Sequence, residues 1–283
     1  MKTIVINKTL TGERALFASK NLQVTNCFFE DGESPLKESQ DITIDNTSFR
    51  WKYPLWYCKN IIVNNSLLTY TARSGIWYTH FITINNSIIE APKTFRRASN
   101  IVLNNVKMPH AEESFWNCQN VKLTNVEAVG DYLLMNSENV IIDNLNLNGN
   151  YLLDGGRNIE IKNSKLMSKD AFWNCENVVV TDSYINGEYL GWNSKNVTFI
   201  NCEIESLQGM CYMNGVKLIN CKLINTTLCF EYSYVDAEIT SSIDSIKNPY
   251  GGTIKAPEIK ELILDENCID PSQTKIFLEK DHV

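Results

Sequence analysis

The 283-residue sequence has few of the residues that build metal sites. Only three histidines occur, His80, His110 and His282, and they lie far apart in the chain. The nine cysteines include no CxxC pair, so the ligand spacing usual for zinc is missing. We therefore expect neither a metal site nor a cofactor.

Long apolar runs and an excess of positive charge are also missing. The N-terminal stretch MKTIVINKTLTGERALFA lacks the apolar core of a signal peptide. No segment approaches the roughly 18 apolar residues of a membrane span. The formal net charge of -7 argues against binding to phosphate backbones and against a basic membrane patch. These absences predict a cytoplasmic protein that binds neither nucleic acid nor membrane.

What the sequence does contain is a repeat of about 19 residues. Its anchor is an asparagine followed by Val or Ile, and the residues one and three positions later are apolar, which is typical of a strand with one buried face. The residue five positions after the anchor is nearly always Asn, a residue that tolerates left-handed backbone and can hydrogen-bond along a stack. Five successive anchors stand 19 residues apart: Asn120, Asn139, Asn158, Asn177 and Asn196.

Such a repeat cannot bury its own apolar side, so its copies must stack into one continuous core. We predict an all-β fold, a single-stranded parallel β-helix of about 11 to 12 rungs with 19 to 21 residues each, right-handed by analogy with most such folds. A leucine-rich repeat is the main structural alternative, but its LxxLxLxxN phrase is missing. We expect one domain over 1–283, with a cap at 1–9, regular rungs at 10–233, and irregular closing rungs and a C-terminal cap at 234–283.

Residues that share an offset from the anchor should form columns along one face of the stack. The column five before the anchor is apolar and is expected inside, so by alternation the column four before the anchor faces outward. That outward column holds five of the six tryptophans: Trp56, Trp77, Trp116, Trp173 and Trp192. Neighbouring columns, seven and three before the anchor, add Tyr132, Tyr151, Tyr189, Arg97, Asn117, Asn136 and Asn174. We call this set of outward residues the aromatic strip.

Two interpretations of the aromatic strip are open. Flat rings beside polar side chains suit a groove that binds a saccharide, since rings stack on apolar sugar faces and polar groups meet hydroxyls. Alternatively, the rings pack against one another from rung to rung, or the strip is a protein interface covered by the tail or by a second copy of the chain. The second interpretation describes a non-catalytic scaffold or a homo-oligomer.

Charged residues interrupt the aromatic columns at four positions. Arg96 and Asp154 replace Trp in one column, and Glu113 and Asp170 replace Tyr in another. Two carboxylates and a basic group are the minimum for glycoside or uronide chemistry. In a glycoside hydrolase, polysaccharide lyase or sugar-modifying enzyme, Asp154 with Asp170 or Glu113 would act as acid and base, and Arg96 would hold an anionic group. The alternative is that all four are solvated charges at rung edges.

The tetrapeptide Phe-Trp-Asn-Cys occurs twice, at 115–118 and 172–175, as the same structural position on two rungs. Cys118 and Cys175 share a column of small residues and lie three rungs apart, roughly 14 Å, so no disulfide joins them. Cys202 and Cys221 fall on adjacent rungs, and we expect them to be reduced.

Several longer phrases point to a known family: GERALFA, DGESPLKES, AFWNCENV, GEYLGWNSKNV and SYVDAEI. Together they resemble an uncharacterised bacterial family, a domain of unknown function whose members are single-domain parallel β-helix proteins. This resemblance covers the whole chain and implies the fold, but no reaction. More distantly, the architecture is similar to that of pectate lyases and related carbohydrate-active enzymes, which is a likeness of fold alone.

Overall fold

The computed structural model describes residues 3–278, and it confirms the predicted all-β parallel β-helix. The chain divides into two compact units, unit 1 (Met1–Leu147) and unit 2 (Asn148–Val283). Within the described residues there are about 15 turns, more than the 11 to 12 expected, because the first turn and the closing turns lack the Asn anchor. Parts of both predicted caps, residues 1, 2 and 279–283, lie outside the described residues. The single-domain assignment and the right-handedness of the β-helix stay predictions.

The described part of unit 1 consists of short strands and one 3-10 helix at Tyr70–Ala72. The strands are β1 (Thr3–Ile6), β2 (Thr9–Leu10), β3 (Lys20–Thr25), β4 (Phe28–Phe29), β5 (Gln40–Asp45), β6 (Ser48–Phe49), β7 (Lys59–Asn64), β8 (Leu67–Leu68), β9 (Ile76–Trp77), β10 (His80–Ile89), β11 (Phe95–Arg96), β12 (Ser99–Met108), β13 (Gln119–Val129) and β14 (Glu138–Asn148).

Unit 2 continues with strands of similar length and a 3-10 helix at Pro271–Gln273. Over residues 3–278, no helix is long and apolar enough to cross a membrane. The strands of unit 2 are β15 (Arg157–Lys162), β16 (Lys165–Met167), β17 (Glu176–Thr181), β18 (Tyr184–Glu188), β19 (Lys195–Ile200), β20 (Glu203–Leu207), β21 (Asn214–Thr227), β22 (Tyr234–Ile239), β23 (Ile243–Lys247), β24 (Gly251–Ala256), β25 (Ile259–Ile263) and β26 (Thr274–Leu278).

Parallel pairing between equivalent strands holds successive turns in register. In unit 1, β10 pairs with β7 and with β12, so that Ile82 lies between Ile61 and Ile101. In unit 2, β17 pairs with β15 and with β19, which places Val178 between Ile159 and Val197. The period-two pattern of each strand therefore sends the same apolar positions inward on every turn.

The predicted inner column is confirmed in both units. Phe115 in unit 1 and Phe172 in unit 2 are fully buried. Phe115 also stacks on Phe95 of the preceding turn, with ring centroids 4.3 Å apart and an interplanar angle of 13°. Stacked turns thus bury apolar side chains that a single turn would leave exposed, which is the stabilising logic of a solenoid.

The predicted asparagine ladders are also present, at exposed bends. In unit 1, Asn105 donates from Nδ2 to Oδ1 of Asn86 at 3.0 Å, and Asn125 donates in turn to Asn105 at 2.9 Å. In unit 2, Asn220 donates to Asn201 at 2.8 Å. The backbone at all these residues is left-handed, with φ between 49° and 54°. Asn is favoured there because it adopts this conformation and its amide both donates and accepts.

The last turns of unit 2 depart from the regular pattern, as expected from the loosened sequence after about residue 234. The pairing of β21 with β20 and with β22 contains register shifts. Beyond β22, the turns continue through β24 and β26, and β23 pairs with β25 as a separate two-stranded sheet.

Candidate functional site

The tryptophans of unit 1 are half-buried and form a stack along the outward column. The rings of Trp56 and Trp77 lie parallel, with centroids 5.2 Å apart and an interplanar angle of 7°. Beside them, Tyr57 and Tyr78 stack with centroids 4.7 Å apart. The Nε1 of Trp77 donates to the carbonyl of Lys93 at 2.9 Å, and Trp116 donates to the carbonyl of Tyr132 at 2.8 Å. Each indole therefore ties its turn to the next.

Arg96 takes the place of an indole in this stack. Its Cζ lies 4.7 Å from the ring centroid of Trp77 and 4.7 Å from that of Trp116. Nη2 of Arg96 lies 3.4 Å from Oε2 of Glu113, whose Oε1 lies 3.0 Å from Nζ of Lys93. A planar guanidinium can fill a gap between two rings, and cation–π attraction stabilises it there.

These contacts account for the first interruption of the Trp column. Both faces of the Trp77 ring are covered, by Trp56 and by Arg96, so a sugar cannot stack on either face without displacing a side chain. Glu113 is engaged by two cations. The geometry of unit 1 favours rung-to-rung packing, and the catalytic roles of Arg96 and Glu113 stay predictions. The remaining strip residues of unit 1, Arg97, Asn117 and Asn136, are exposed beside this stack.

The aromatic rings of unit 2 are arranged less regularly. Trp173 and Trp192 are tilted by 35°, with centroids 6.3 Å apart. Tyr151 meets Trp173 edge-on at 5.9 Å, and Tyr189 meets Trp192 edge-on at 6.2 Å. Nε1 of Trp173 donates to the carbonyl of Tyr189 at 2.8 Å, which repeats the tie between turns found in unit 1.

Asp154, the second interruption of the Trp column, begins a ladder of amides. Its Oδ1 accepts from Nδ2 of Asn174 at 2.9 Å, and Oδ1 of Asn174 accepts from Asn193 at 2.9 Å. The two glycines beside Asp154 lie in a tight part of the backbone. Gly155 has φ of 73°, and a Cβ on Gly156 would lie 2.8 Å from the carbonyl oxygen of Leu153.

Asp170 has the most perturbed environment of the four predicted catalytic residues. Its half-buried carboxyl group has a pKa raised above its ordinary value, chiefly because burial disfavours the charged form, and a hydrogen bond with the Tyr151 side chain partly opposes this. The nearby charge of Glu188 raises the pKa further. Asp154 and Asp170 belong to unit 2, while Arg96 and Glu113 belong to unit 1.

A polar cleft of about 380 Å³ lies next to Asp170 in unit 2. Three successive strands build it, since β18 pairs with β16 and with β20. Side chains alternate between the two faces of each strand. Leu166, Ile185 and Ile204 are therefore buried, and the residue after each of them points outward. The cleft is lined by Met167 and Leu207 and by polar side chains on or next to these strands, the end of β14 and β21: Asn148, Asn150, Lys169, Asn186, Glu188, Glu205 and Asn225.

Glu205 is held in the cleft by three hydrogen bonds. Its Oε2 accepts from the hydroxyl of Tyr184 at 3.1 Å and from Nδ2 of Asn186 at 2.8 Å, and its Oε1 accepts from Nδ2 of Asn225 at 2.9 Å. The hydrogen bond from Asn225 is the main cause that lowers the pKa of Glu205 below its ordinary value, and those from Tyr184 and Asn186 act in the same direction. Glu205 is therefore a carboxylate fixed in position, and its hydrogen bonds favour the ionised form.

An ion pair lies at the cleft edge nearest Asp170. Nζ of Lys169 lies 2.9 Å from Oε1 of Glu188, and this carboxylate raises the pKa of the lysine. Gly187 precedes Glu188 and lets the backbones of two turns approach closely. A Cβ at this position would overlap the carbonyl oxygen of Ser168, which precedes Lys169. Sequence reasoning missed the cleft because it followed columns before the anchor. The polar residues that line the cleft lie in the columns nine and eleven positions after the anchor, which hold Asn186, Glu205 and Glu188.

The cysteines of the two Phe-Trp-Asn-Cys copies are buried, and their thiols are not reactive. Burial raises the pKa of the Cys118 thiol and of the Cys175 thiol to about 12 in each case. Among residues 3–278, no group of three or more His, Cys, Asp or Glu side chains is placed to hold a metal ion.

Comparison with known proteins identifies a family. The profile of the family described as "Protein of unknown function (DUF3737)" matches residues 3–277. This confirms the resemblance inferred from the sequence phrases. No curated protein matches the chain.

Two solved structures align with this chain at low sequence identity. The surface adhesin PfbA of Streptococcus pneumoniae is 11% identical, with 92% of this chain and 74% of that chain covered and a TM-score of 0.41. The A-module of the mannuronan C-5 epimerase AlgE4 of Azotobacter vinelandii is 9% identical, with coverage of 98% and 89% and a TM-score of 0.33. Similarity at this level carries no argument about function.

Proposed function

We propose that this chain, which belongs to the DUF3737 family of proteins of unknown function, binds a saccharide in the polar cleft of unit 2. The observation that carries the proposal is the composition of the cleft wall. Four asparagine side chains, Asn148, Asn150, Asn186 and Asn225, line about 380 Å³ together with two carboxylates and a lysine. Amides and carboxylates at close spacing match the alternating donor and acceptor hydroxyls of a sugar.

The proposal places the ligand in unit 2 because the rings of unit 1 already cover one another's faces. A sugar at the cleft has Tyr151, Asp170 and Tyr189 beside it on the same turns as Lys169 and Glu188. Trp173, Trp192 and Asn174 extend the proposed site along the strip of unit 2. Trp56, Trp77, Trp116 and Tyr132 of unit 1 are assigned to packing in this proposal.

A catalytic role of the cleft rests on Asp170. The pKa of Asp170 is raised and that of Glu205, two turns further along the stack, is lowered, and acid–base chemistry uses one carboxyl group of each kind. In this proposal Asp170 is the acid and Glu205 replaces Glu113 as the ionised partner. The test is release of reducing sugar from oligosaccharides that bind, with Asp170→Asn as the inactive variant.

Calorimetric titration of the full chain with neutral, amino and acidic oligosaccharides tests the binding proposal. We expect at least one class to bind, and we expect Asn186→Ala and Asn225→Ala each to weaken binding by roughly tenfold, since each removes a polar contact worth about 1 kcal/mol or more. Asn136→Ala, at an exposed position of unit 1, is the matched control and should leave affinity unchanged. Failure of every oligosaccharide to bind would reject the proposed function.

A protein interface is the second candidate, and an exposed apolar groove in unit 1 favours it. Ile62 and Phe81, which are 45% and 52% exposed, line a groove of about 380 Å³ with Val102. Exposed apolar surface of this kind often marks an interface. Under this proposal the partner is a second copy of the chain. Light scattering should then show a dimer that Phe81→Asp converts to a monomer, and a monomeric wild type excludes the proposal.

A further inference from the structure

The charges of the cleft determine which class of saccharide it accepts. Lys169 is the cation of the lining, and its ammonium group is already paired with Glu188 at 2.9 Å. The charge of this pair is largely compensated. The carboxylate of Glu205 is held by the side chains of Tyr184, Asn186 and Asn225, which are neutral donors. The cleft therefore carries a net negative charge at a fixed place.

A fixed carboxylate of this kind discriminates between ligands by their charge. Its oxygens are positioned by three hydrogen bonds, so they need little reorganisation to meet a donor. A protonated amine gains a charge-assisted hydrogen bond there, whereas a uronate brings a second negative charge and is repelled. Neutral sugars gain only the hydrogen bonds that any hydroxyl makes.

We propose that the cleft selects amino sugars over uronates, and that Glu205 is the residue that determines this specificity. The inference rests on the proposed saccharide binding and deepens it by naming the ligand class. In a partly exposed site, attraction between the Glu205 carboxylate and a protonated amine should give the amino sugar an affinity on the order of tenfold higher than that of its neutral acetylated form.

Titration calorimetry with three oligosaccharides tests this proposal on the full chain. The probes are glucosamine oligomers at a pH that keeps their amines protonated, N-acetylglucosamine oligomers of the same length, and galacturonate oligomers. We expect the glucosamine oligomer to bind about tenfold more tightly than the acetylated one, and the galacturonate oligomer to bind weakest.

Two variants identify the responsible residue by effects of opposite sign. Glu205→Gln keeps the size of the side chain and removes its charge, so it should weaken glucosamine binding by about tenfold more than it weakens binding of the acetylated oligomer. Lys169→Gln frees the charge of Glu188 and should strengthen glucosamine binding. The matched control is Glu203→Gln, which lies two residues before Glu205 on β20 and is not part of the cleft lining.

The outcomes separate the specificity from the site itself. If the acetylated oligomer binds as tightly as the glucosamine oligomer, or if Glu205→Gln weakens both equally, the charge-based selection is overturned while saccharide binding stands. Tightest binding of galacturonate also overturns the selection. If none of the three oligomers binds, both the site and its specificity are rejected. Circular dichroism of each variant confirms that a loss of binding is not a loss of fold.

Discussion

The two units build their turns from the same repeat but use the outward face differently. Unit 1 fills its strip with rings in parallel contact and places Arg96 where a Trp would otherwise stand. In unit 2 the indoles of Trp173 and Trp192 are tilted by 35° against each other, and polar residues line a cleft beside them. The inner columns of both units are buried and apolar. The two units therefore differ in their outward residues, which the stacking of turns leaves free to vary.

This difference shows how a solenoid separates stability from function. The column of Phe115 and Phe172 stays apolar in both units because each of its residues packs on the turns above and below it. An outward column has no such constraint, so it can continue a stack, as in unit 1, or carry polar side chains that line a cleft, as in unit 2. Four predictions test this contrast, in order of decreasing expected effect.

The largest effect is expected at the equivalent core positions of the two units. Phe115→Ala and Phe172→Ala each remove a fully buried ring, so each should lower the free energy of unfolding by about 3–5 kcal/mol. Chemical denaturation followed by circular dichroism measures both losses. Clearly unequal losses would contradict the equivalence of the inner columns. Ile141→Ala, at a position that is 47% exposed, is the control and should change stability little.

The next effect should differ between the units. Trp77→Ala removes a ring that packs on both faces and donates to Lys93, so we expect a loss of about 2–4 kcal/mol. Trp173→Ala removes a ring with tilted and edge-on neighbours, and its loss should be smaller. The same denaturation experiment compares them. A larger loss at Trp173 would show that unit 2 depends more on its strip than unit 1.

Arg96→Lys should have a smaller effect, confined to unit 1. The substitution keeps the charge beside Glu113 but loses the planar group between the rings of Trp77 and Trp116. We expect a loss of about 1 kcal/mol from the cation–π contacts. An unchanged midpoint of thermal unfolding would mean that only the charge matters at this position.

Asp170→Asn should have the smallest effect, and its sign depends on pH. The folded state raises the pKa of Asp170, so it binds the proton more tightly than the unfolded chain does. The wild type should therefore lose stability relative to the variant as pH rises from the ordinary range of an aspartate through the raised pKa. Melting temperatures of both proteins across acidic to neutral pH measure this difference. Parallel curves would mean that burial does not penalise the Asp170 carboxylate.

The repeat made the fold predictable from the sequence. The 19-residue period, the apolar positions of each strand and the column of asparagines are local features that recur on every turn, and the structure confirms the strands, the inner column and the ladders. The site was predictable only in part. Asp170 entered the proposal from the sequence because it interrupts a column, whereas Glu205 did not, because its hydrogen bonds depend on Asn186 of the previous turn and Asn225 of the next.

What the sequence by itself determined is therefore the architecture, because each turn repeats the same backbone demands and buries the same positions. What only the tertiary structure decided is the use of the outward face. Whether a Trp offers its ring to a ligand depends on the side chains stacked above and below it, and Arg96 and Trp56 cover Trp77. Whether a carboxylate is paired or fixed in a cleft also depends on neighbours about 19 residues away in sequence, which stacking brings to roughly 4.8 Å.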